Sequence, residues 1–296
     1  MNDATLRIAD KVASTFDFSV DKFPLSGPDA MKTPFYGLFR SDTMDVVGAS
    51  SVTSRYVPHT ADDVLALTEA AAEAFEGDIN IDCHFREGHY VNVQPSQDHR
   101  RSVYGSADNV FPRVIIRAGY DGKAFNATMG YYRDLCLNLS MLHKVSGTSV
   151  SIRHTSSLRD KMNWLIYTFN TLRESWGSLA DVIESLETRE VVMTSFLDSI
   201  YGVPADDASQ NTVTRHKNRT EKIFRRIMNE RTRSGRPQIA KDFRVSAWEA
   251  MNAIQGYVQH DASRKGSPSS FARIIMAAND KAVIAAQDAA MATLVA

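Results

Sequence analysis

The chain has 296 residues, of which 43% are hydrophobic and 23% are charged, and its formal net charge is −1. This length is enough for one large domain or two modest ones, each with a real core. No apolar run approaches the 18 residues of a membrane-spanning helix, and residues 1–21 lack the order of a signal peptide. The two cysteines, Cys83 and Cys136, have no C-x-x-C spacing, so we expect no disulfide framework. We therefore predict a soluble cytoplasmic protein with no membrane partner.

Charge is segregated along the chain, although its sum is near zero. Residues 1–99 hold 7 Lys/Arg and 16 Asp/Glu, residues 100–159 hold 9 and 3, residues 160–214 hold 3 and 9, and residues 215–244 hold 11 and 3. Asymmetry of this size favours a polyanionic partner for the two basic blocks. The alternative is that acidic and basic blocks neutralise each other across a domain or subunit contact, and the charge pattern alone leaves both open.

Apolar periodicity and turn residues indicate the first elements of the chain. Residues 4–16 have helical spacing, and several prolines and glycines between 24 and 34 then break the chain. Residues 35–41 and 44–52 predict two strands around a short turn. Thr60 followed by two acidic residues is typical of a capped amphipathic helix, which Gly77 ends.

A strand-rich stretch follows that helix. Residues 79–85 and 89–95 predict one hairpin. Residues 113–118 and 123–131 predict a second, because Asp121-Gly122 supplies the positive φ values of a tight turn. Residues 135–142 are compatible with a helix or a strand, and residues 145–153 alternate as a strand does.

From Thr155 onward the pattern is helical. The predicted helices cover residues 156–186, 188–201, 214–233, 245–260 and 270–293, with a loop at 202–213. The whole pattern predicts an α+β fold, in which a strand-rich N-terminal half with an antiparallel meander and helices precedes an all-helical C-terminal half. The predicted domains are residues 1–155 and 156–296.

Short motifs in a defined order resemble a known family. They are Tyr36-Gly-Leu-Phe-Arg-Ser-Asp-Thr43, Val47-Gly48, Arg55-Tyr56-Val57-Pro58, Arg133-Asp134-Leu135-Cys136-Leu137-Asn138, Ile152-Arg153-His154-Thr155, and Trp248-Glu-Ala-Met-Asn-Ala-Ile254 followed by Tyr257. Over residues 35–275 the chain resembles a phage- and plasmid-borne family known as domain of unknown function 932. It departs from the family at Leu137, where Thr or a similar residue is usual. The resemblance implies a mobile-element protein of a bacterial host, involved in DNA metabolism or host takeover.

The strongest candidate site is the basic segment at 215–244. Its cations are Arg215, Lys217, Arg219, Lys222, Arg225, Arg226, Arg231, Arg233, Arg236, Lys241 and Arg244. On a helix Arg215, Arg219, Lys222, Arg226 and Arg233 share one face, while Ile223, Phe224, Ile227 and Met228 supply another. Few acids lie within the segment to pair with these cations, so we predict that they bind phosphates and release counterions. The alternative is a solvated face that pairs with the acidic blocks.

The block at 100–159 mixes cations with aromatic residues, as single-strand binding surfaces do. Its candidate nucleic-acid contacts are Arg117, Tyr120, Lys123, Arg133, Arg153 and His154. Phe111 and Phe125 are predicted to be sheet core, whereas the hairpin-tip position of Tyr120 fits either role. His154 is either a phosphate contact or a structural histidine.

Neither a metal centre nor a cofactor site is predicted. Zinc needs three or four convergent ligands, and His84 and His89 beside Cys83 specify fewer. Nucleophile-elbow, Walker A and Rossmann glycine patterns are absent, and Cys136 is typical of a buried thiol. An enzyme acting on nucleic acid through Asp121, Asp134 or His154 stays open as a third interpretation.

These observations predict a DNA-metabolism protein that binds single-stranded or annealing DNA, with strand annealing as the best-fitting role. The alternative is a host-interaction or counter-defence protein that docks a host protein on the acidic blocks 1–99 and 160–214. The broad apolar surface at 270–293 predicts a homo-oligomer, with packing on the chain's own core as the competing explanation. We also expect the two basic blocks to face the same groove.

Overall fold

The computed structural model describes most of the chain in two compact units. The described residues are 3–16, 18–48, 51–75, 78–84, 88–94, 101–102, 109–120, 124–133, 138–140, 149–262, 268, 270–278 and 280–295. The first unit is formed by residues 1–99, 113–129 and 147–174, and the second by residues 100–112, 130–146 and 175–296. A single boundary near residue 155 was expected, whereas the chain passes between the units several times.

The elements alternate between helices and strands in the first half and are mainly helical afterwards. In chain order they are α1 (Asp3–Phe16), β1 (Val20–Ser26), β2 (Lys32–Arg40), β3 (Val52–Thr53), α2 (Ala61–Phe75), β4 (Asp78–His84), β5 (Gly88–Gln94), β6 (Arg101–Ser102), β7 (Asn109–Ala118), β8 (Phe125–Arg133), β9 (Asn138–Ser140), β10 (Ser149–Ile152), α3 (Leu158–Thr188), β11 (Glu190–Val192), α4 (Met193–Tyr201), α5 (Gln210–Arg233), β12 (Arg244–Ser246), α6 (Ala247–Gly256), α7 (Ser270–Ala278) and α8 (Lys281–Ala292). The predicted α+β class is confirmed.

The first unit contains a sheet whose strand order is β10-β8-β7-β5-β4. Strand β7 is central, and every residue from Val114 to Ala118 is buried. Val114, Ile116 and Ala118 join a core with residues of α1, α2 and the start of α3. The side chains of Arg113 and Arg117 alternate with these, so the strand directs them to its other face.

Local signals placed the α2 helix and the first hairpin correctly. The Thr60 hydroxyl accepts a hydrogen bond from the Asp63 N–H, and the Asp63 carboxylate accepts one from the Thr60 N–H. This reciprocal cap satisfies two backbone donors at the helix start. Strands β4 and β5 pair antiparallel from Asp78–Gln94 to His84–Gly88, as the hairpin prediction required.

Over residues 44–48, the strand predicted at 44–52 does not form. Met44 and Gly48 have φ angles of 59° and 83°, which an extended strand does not allow. Strand β2 pairs instead with β1, which was not predicted because Pro24 lies within it. The 44–52 segment contacts β2 through an isolated bridge between Phe39 and Val46 and through the pairing of Val52, in β3, with Tyr36.

The second unit packs helices around α6. All ten residues of α6 are buried, and Trp248 is fully enclosed. Residues of α3, α4, α5 and α8 surround α6 in one core. The helix predicted at 188–201 begins only at Met193, because Glu190–Val192 form β11, which pairs with β12. Such three-residue strands are too short to leave a periodic signal in the sequence.

The terminal helix predicted at 270–293 is two helices, α7 and α8. Val283, Ala286 and Ala290 are buried within the second unit. The apolar surface that suggested an oligomer is therefore used for packing within the chain. A homo-oligomer stays a prediction and needs another surface.

Four charged residues form a paired cluster at the start of α6. The Arg231 guanidinium donates two hydrogen bonds to the Glu249 carboxylate, at 2.8 and 2.7 Å. Arg236 pairs with both Glu249 and Glu187, at 3.1 and 2.9 Å. Ser246 and Glu249 also form a capping box at the helix N-terminus. The cluster therefore joins the basic segment to α3 and α6.

In the part of the chain that the structure describes, no helix is long and apolar enough to cross a membrane.

Glu249→Gln should reduce the free energy of unfolding at neutral pH by about 3–5 kcal/mol, because it leaves Arg231 with a neutral partner in a buried site, while Arg236 keeps Glu187. Burial opposes ionisation of Glu249, but hydrogen bonds from Arg231 and Ser246 and the Arg236 charge outweigh it and lower the carboxyl pKa. The carboxylate therefore stabilises the fold above its ordinary pKa of 4.5, and this contribution is lost as the pH falls through the folded value.

Urea unfolding between pH 3 and 7 measures this effect, and the difference between parent and variant should shrink below pH 4.5. Glu190→Gln is the matched control, because Glu190 pairs with Arg244 at an exposed position and should contribute about 0–1 kcal/mol. A pH-independent difference for Glu249→Gln would contradict the assignment.

Candidate nucleic-acid interface

The basic segment folds into α5 and the loop that leads to β12. The Ser209 hydroxyl caps α5 by accepting a hydrogen bond from the Thr212 N–H, so the helix begins at Gln210 rather than at the predicted Thr214. Ile223 and Ile227 are buried in the second core, as predicted. Met228 was predicted on the same apolar face but is 46% exposed.

Seven of the segment's eleven cations have partners within the chain. Arg231 and Arg236 belong to the cluster around Glu249, and Arg244 lies 3.7 Å from Glu190. The Arg219 guanidinium lies 3.8 Å from the ring centre of Tyr201. Glu249, Glu190 and Tyr201 lie outside the segment, so the local sequence could not show that these cations are engaged.

Burial raises the pKa of Tyr201, even though the positive charge of Arg219 opposes this shift. The phenol is consequently neutral, and its face can hold the guanidinium by a cation–π contact. Arg219 thus covers a half-buried ring instead of standing free on the helix surface.

One flank of α5 carries a continuous polar stripe. Its members, spaced by three or four residues, are Arg215, Asn218, Lys222, Arg225, Asn229 and Arg233. All six side chains are exposed. A rise of 1.5 Å per residue makes the stripe about 27 Å long. We call this set the α5 stripe.

A pocket of about 320 Å³ opens on the C-terminal half of the α5 stripe. Its lining residues are Lys222, Arg225, Arg226, Asn229, Glu230, Arg233 and Asp261. The pocket therefore combines four cations, two carboxylates and one amide, and its lining has an excess of positive charge.

Both carboxylates of the pocket are engaged by arginines. The Arg226 Nε and Nη2 atoms donate to Asp261 Oδ2 at 3.1 and 2.9 Å. Arg133 Nη1 donates to Glu230 Oε2 at 3.0 Å, with Arg133 only 1% exposed. By contrast, Lys222 and Arg225 form no ion pair with any acidic residue in the described part of the chain. The positive charge of these two side chains is available to a phosphate.

The residue Asp261 ends a π-helical turn, Tyr257–Asp261, that continues α6. Turns of this kind are uncommon and are frequent at functional sites. Burial, and then the positive charge of Arg226, lower the pKa of the neighbouring His260, so this side chain is mainly neutral at neutral pH.

The candidates from the 100–159 block have different positions. Arg117 is 5% exposed, and its Nη1 donates to the Ala124 carbonyl at 3.3 Å. Arg133 is enclosed beside Trp248, 5.9 Å from the ring centre. Arg153 is exposed, and Lys123 lies outside the described residues. Among the described cation side chains of this block, only Arg153 is exposed, so a surface role is not available to Arg117 and Arg133 in this structure.

Tyr120 and His154 lie in an aromatic cluster of the first unit. Tyr120 is 2% exposed, stacks on His59 at 4.2 Å and donates a hydrogen bond to the His59 carbonyl. His154 stacks on Tyr56 at 4.7 Å, and its Nδ1 lies 3.2 Å from the Val57 carbonyl. Phe125 belongs to the core, as expected. These contacts favour the structural explanation for both candidate residues.

Several residues of the site were not singled out from sequence. Asn218 and Asn229 share the spacing of the α5 stripe, and searching for amides as well as cations at three- and four-residue steps would have found them. Asp261 and Glu230 act through partners 35 and 97 residues away, a separation that no local pattern reports.

Among the described residues, no group of three or more His, Cys, Asp or Glu side chains is arranged to hold a metal ion. Strand pairing places Cys83 opposite His89. Cys136, Asp121 and Asp134 lie outside the described residues.

Comparison with known families supports the resemblance seen in the motifs. The family model described as "Domain of unknown function (DUF932)" matches residues 49–290. No curated protein and no solved structure matches the chain.

Single substitutions that break the Arg133–Glu230 pair should destabilise the protein by about 3–5 kcal/mol each, because each leaves an uncompensated buried charge. Replacing both residues, as in Arg133→Met with Glu230→Leu, should cost less than either single change, since no charge is then buried. Urea unfolding of the four proteins in a double-mutant cycle measures the coupling. Additive effects of the two changes would contradict the assigned pair.

Proposed function

Since the chain belongs to the family described as Domain of unknown function (DUF932), we propose that it is a mobile-element DNA-metabolism protein that binds single-stranded DNA through the α5 stripe. The observation that carries this proposal is the pocket in which both acids are already engaged while Lys222 and Arg225 have no acidic partner. A polyanion is the partner that such a surface attracts.

The α5 stripe suits a phosphate backbone better than a compact anion. Its cations recur at helical spacing over about 27 Å, so several phosphates of one strand can be neutralised together. Arginine donates up to five N–H groups to phosphate oxygens, and the two asparagine amides add neutral donors. Contacts of this kind position a strand without selecting its sequence.

Strand annealing is the role we propose for this binding. An annealing protein must hold many sequences and release them as a duplex forms, which requires phosphate contacts of moderate strength and little base selection. Arg219 and Arg226 are excluded from the proposed contact set, because the first covers Tyr201 and the second holds Asp261.

Lys222→Gln combined with Arg225→Gln should weaken binding to single-stranded oligonucleotides and lower the salt dependence. Each lost phosphate contact reduces the slope of log K against log salt by about 0.7 for a single strand, so the double change should reduce it by about 1.4. Fluorescence anisotropy across a salt series measures this for single- and double-stranded oligonucleotides.

The matched control is Arg189→Gln combined with Lys281→Gln, which removes two exposed positive charges from the same unit outside the basic segment. Equal slopes for the two double variants would exclude the α5 stripe as the binding surface. Preferential binding to duplex would contradict the single-strand part of the proposal. A parent chain that binds no oligonucleotide at low salt would favour the alternative, a host-interaction protein.

A further inference from the structure

The pocket on α5 contains a hydrogen-bond acceptor that a phosphodiester, which has no O–H or N–H group, cannot satisfy. Glu230 lines the pocket, and its side chain is 10% exposed. Its Oε2 atom accepts from Arg133, whereas its buried Oε1 atom has no hydrogen-bond donor. A buried acceptor without a donor is costly, and such atoms deserve a specific explanation.

We propose that this pocket binds a single unpaired nucleotide of the strand, with an exocyclic amino group of its base donating to Glu230 Oε1. Lys222 and Arg225 would hold the phosphate, and Asn229 lies one helical turn beyond Arg225 on the α5 stripe. This inference rests on the proposed function, because the nucleotide belongs to the strand bound along α5.

The pocket makes two opposite requirements of a ligand. The cations need an anion, whereas a carboxylate oxygen repels one and requires an N–H or O–H donor. Inorganic phosphate supplies the anion, but its only donor is an O–H on that same charged group. A nucleotide supplies both, since its phosphate is anionic and most bases carry an amino group.

The size of the pocket agrees with a small ligand. Its volume of about 320 Å³ lies at the lower end of the range for small-molecule sites. A duplex presents its amino groups inside base pairs or along its grooves, so a base that enters such a pocket must be unpaired.

Base identity should therefore affect binding at this one position. Cytosine and adenine present N4 and N6 amino groups, guanine presents its N2 amino group, and thymine has carbonyl oxygens in place of an amino group. Carboxylates accept from the cytosine amino group in known protein–DNA contacts. Thymine has a carbonyl oxygen at the position of the cytosine amino group, so it should place an acceptor against Glu230 Oε1. Its one base donor, N3–H, lies between two carbonyl oxygens.

Isothermal titration of the full chain with deoxynucleoside 5′-monophosphates and with inorganic phosphate tests the proposal. We expect thymidine monophosphate to bind roughly 5- to 150-fold more weakly than deoxycytidine monophosphate, the range for leaving one buried acceptor unpaired. Inorganic phosphate should bind as weakly as thymidine monophosphate or more weakly. Lys222→Gln with Arg225→Gln should weaken all four mononucleotides alike, while Arg189→Gln with Lys281→Gln should leave them unchanged.

Glu230→Gln tests the base contact directly, because the amide keeps the shape of the side chain. It should abolish the preference for deoxycytidine monophosphate over thymidine monophosphate while phosphate binding remains. If this variant does not fold, dodecamers of deoxycytidine and of thymidine supply the same comparison on the parent chain, and cytidine should be preferred.

The outcomes separate this inference from the proposed function. Equal affinities for all mononucleotides and phosphate would overturn the base contact but leave strand binding through α5 in place. Oligonucleotide binding that depends on Lys222 and Arg225, without mononucleotide binding, would likewise overturn the base contact and leave strand binding in place. Absence of any oligonucleotide binding would overturn both.

Discussion

Burial of the Arg133 charge is the constraint on which the arrangement of the second unit depends. A guanidinium that is 1% exposed has lost its hydration, and only a well-placed counter-charge can offset that loss. Glu230 supplies the counter-charge from α5, which fixes the rotation of this helix. With Glu230, Ile223 and Ile227 directed inward, the 3.6-residue period turns Lys222, Arg225 and Asn229 outward. The exposed stripe is thus a consequence of the buried pair.

Pairing within the chain divides a uniform-looking basic segment into two groups. Arg226, Arg231 and Arg236 neutralise carboxylates of the second unit, and Arg219 covers Tyr201. These side chains hold helices together and contribute little net field outside. Arg215, Lys222 and Arg225 remain exposed on one flank of α5, so the local potential there is more positive than the overall charge of −1 indicates.

Sequence reasoning succeeded where the signal was local and failed where it was not. A few neighbouring residues determine the cap at Thr60, the hairpin of β4 and β5, and the amphipathic character of α5. By contrast, β11 and β12 are three residues each and lie more than 50 residues apart, so only tertiary packing defines them. The engagement of Arg133, Arg226 and Arg231 likewise depends on acids 97, 35 and 18 residues away.

Strand β1 is the edge of its three-stranded sheet, and Pro24 lies in the middle of it. Proline has no backbone N–H, so this edge presents an interrupted row of donors to any approaching strand. Natural sheets use proline at an edge in this way to prevent edge-to-edge aggregation. The residue that hid β1 from sequence analysis therefore also protects the folded chain from recruiting unwanted strands at high concentration.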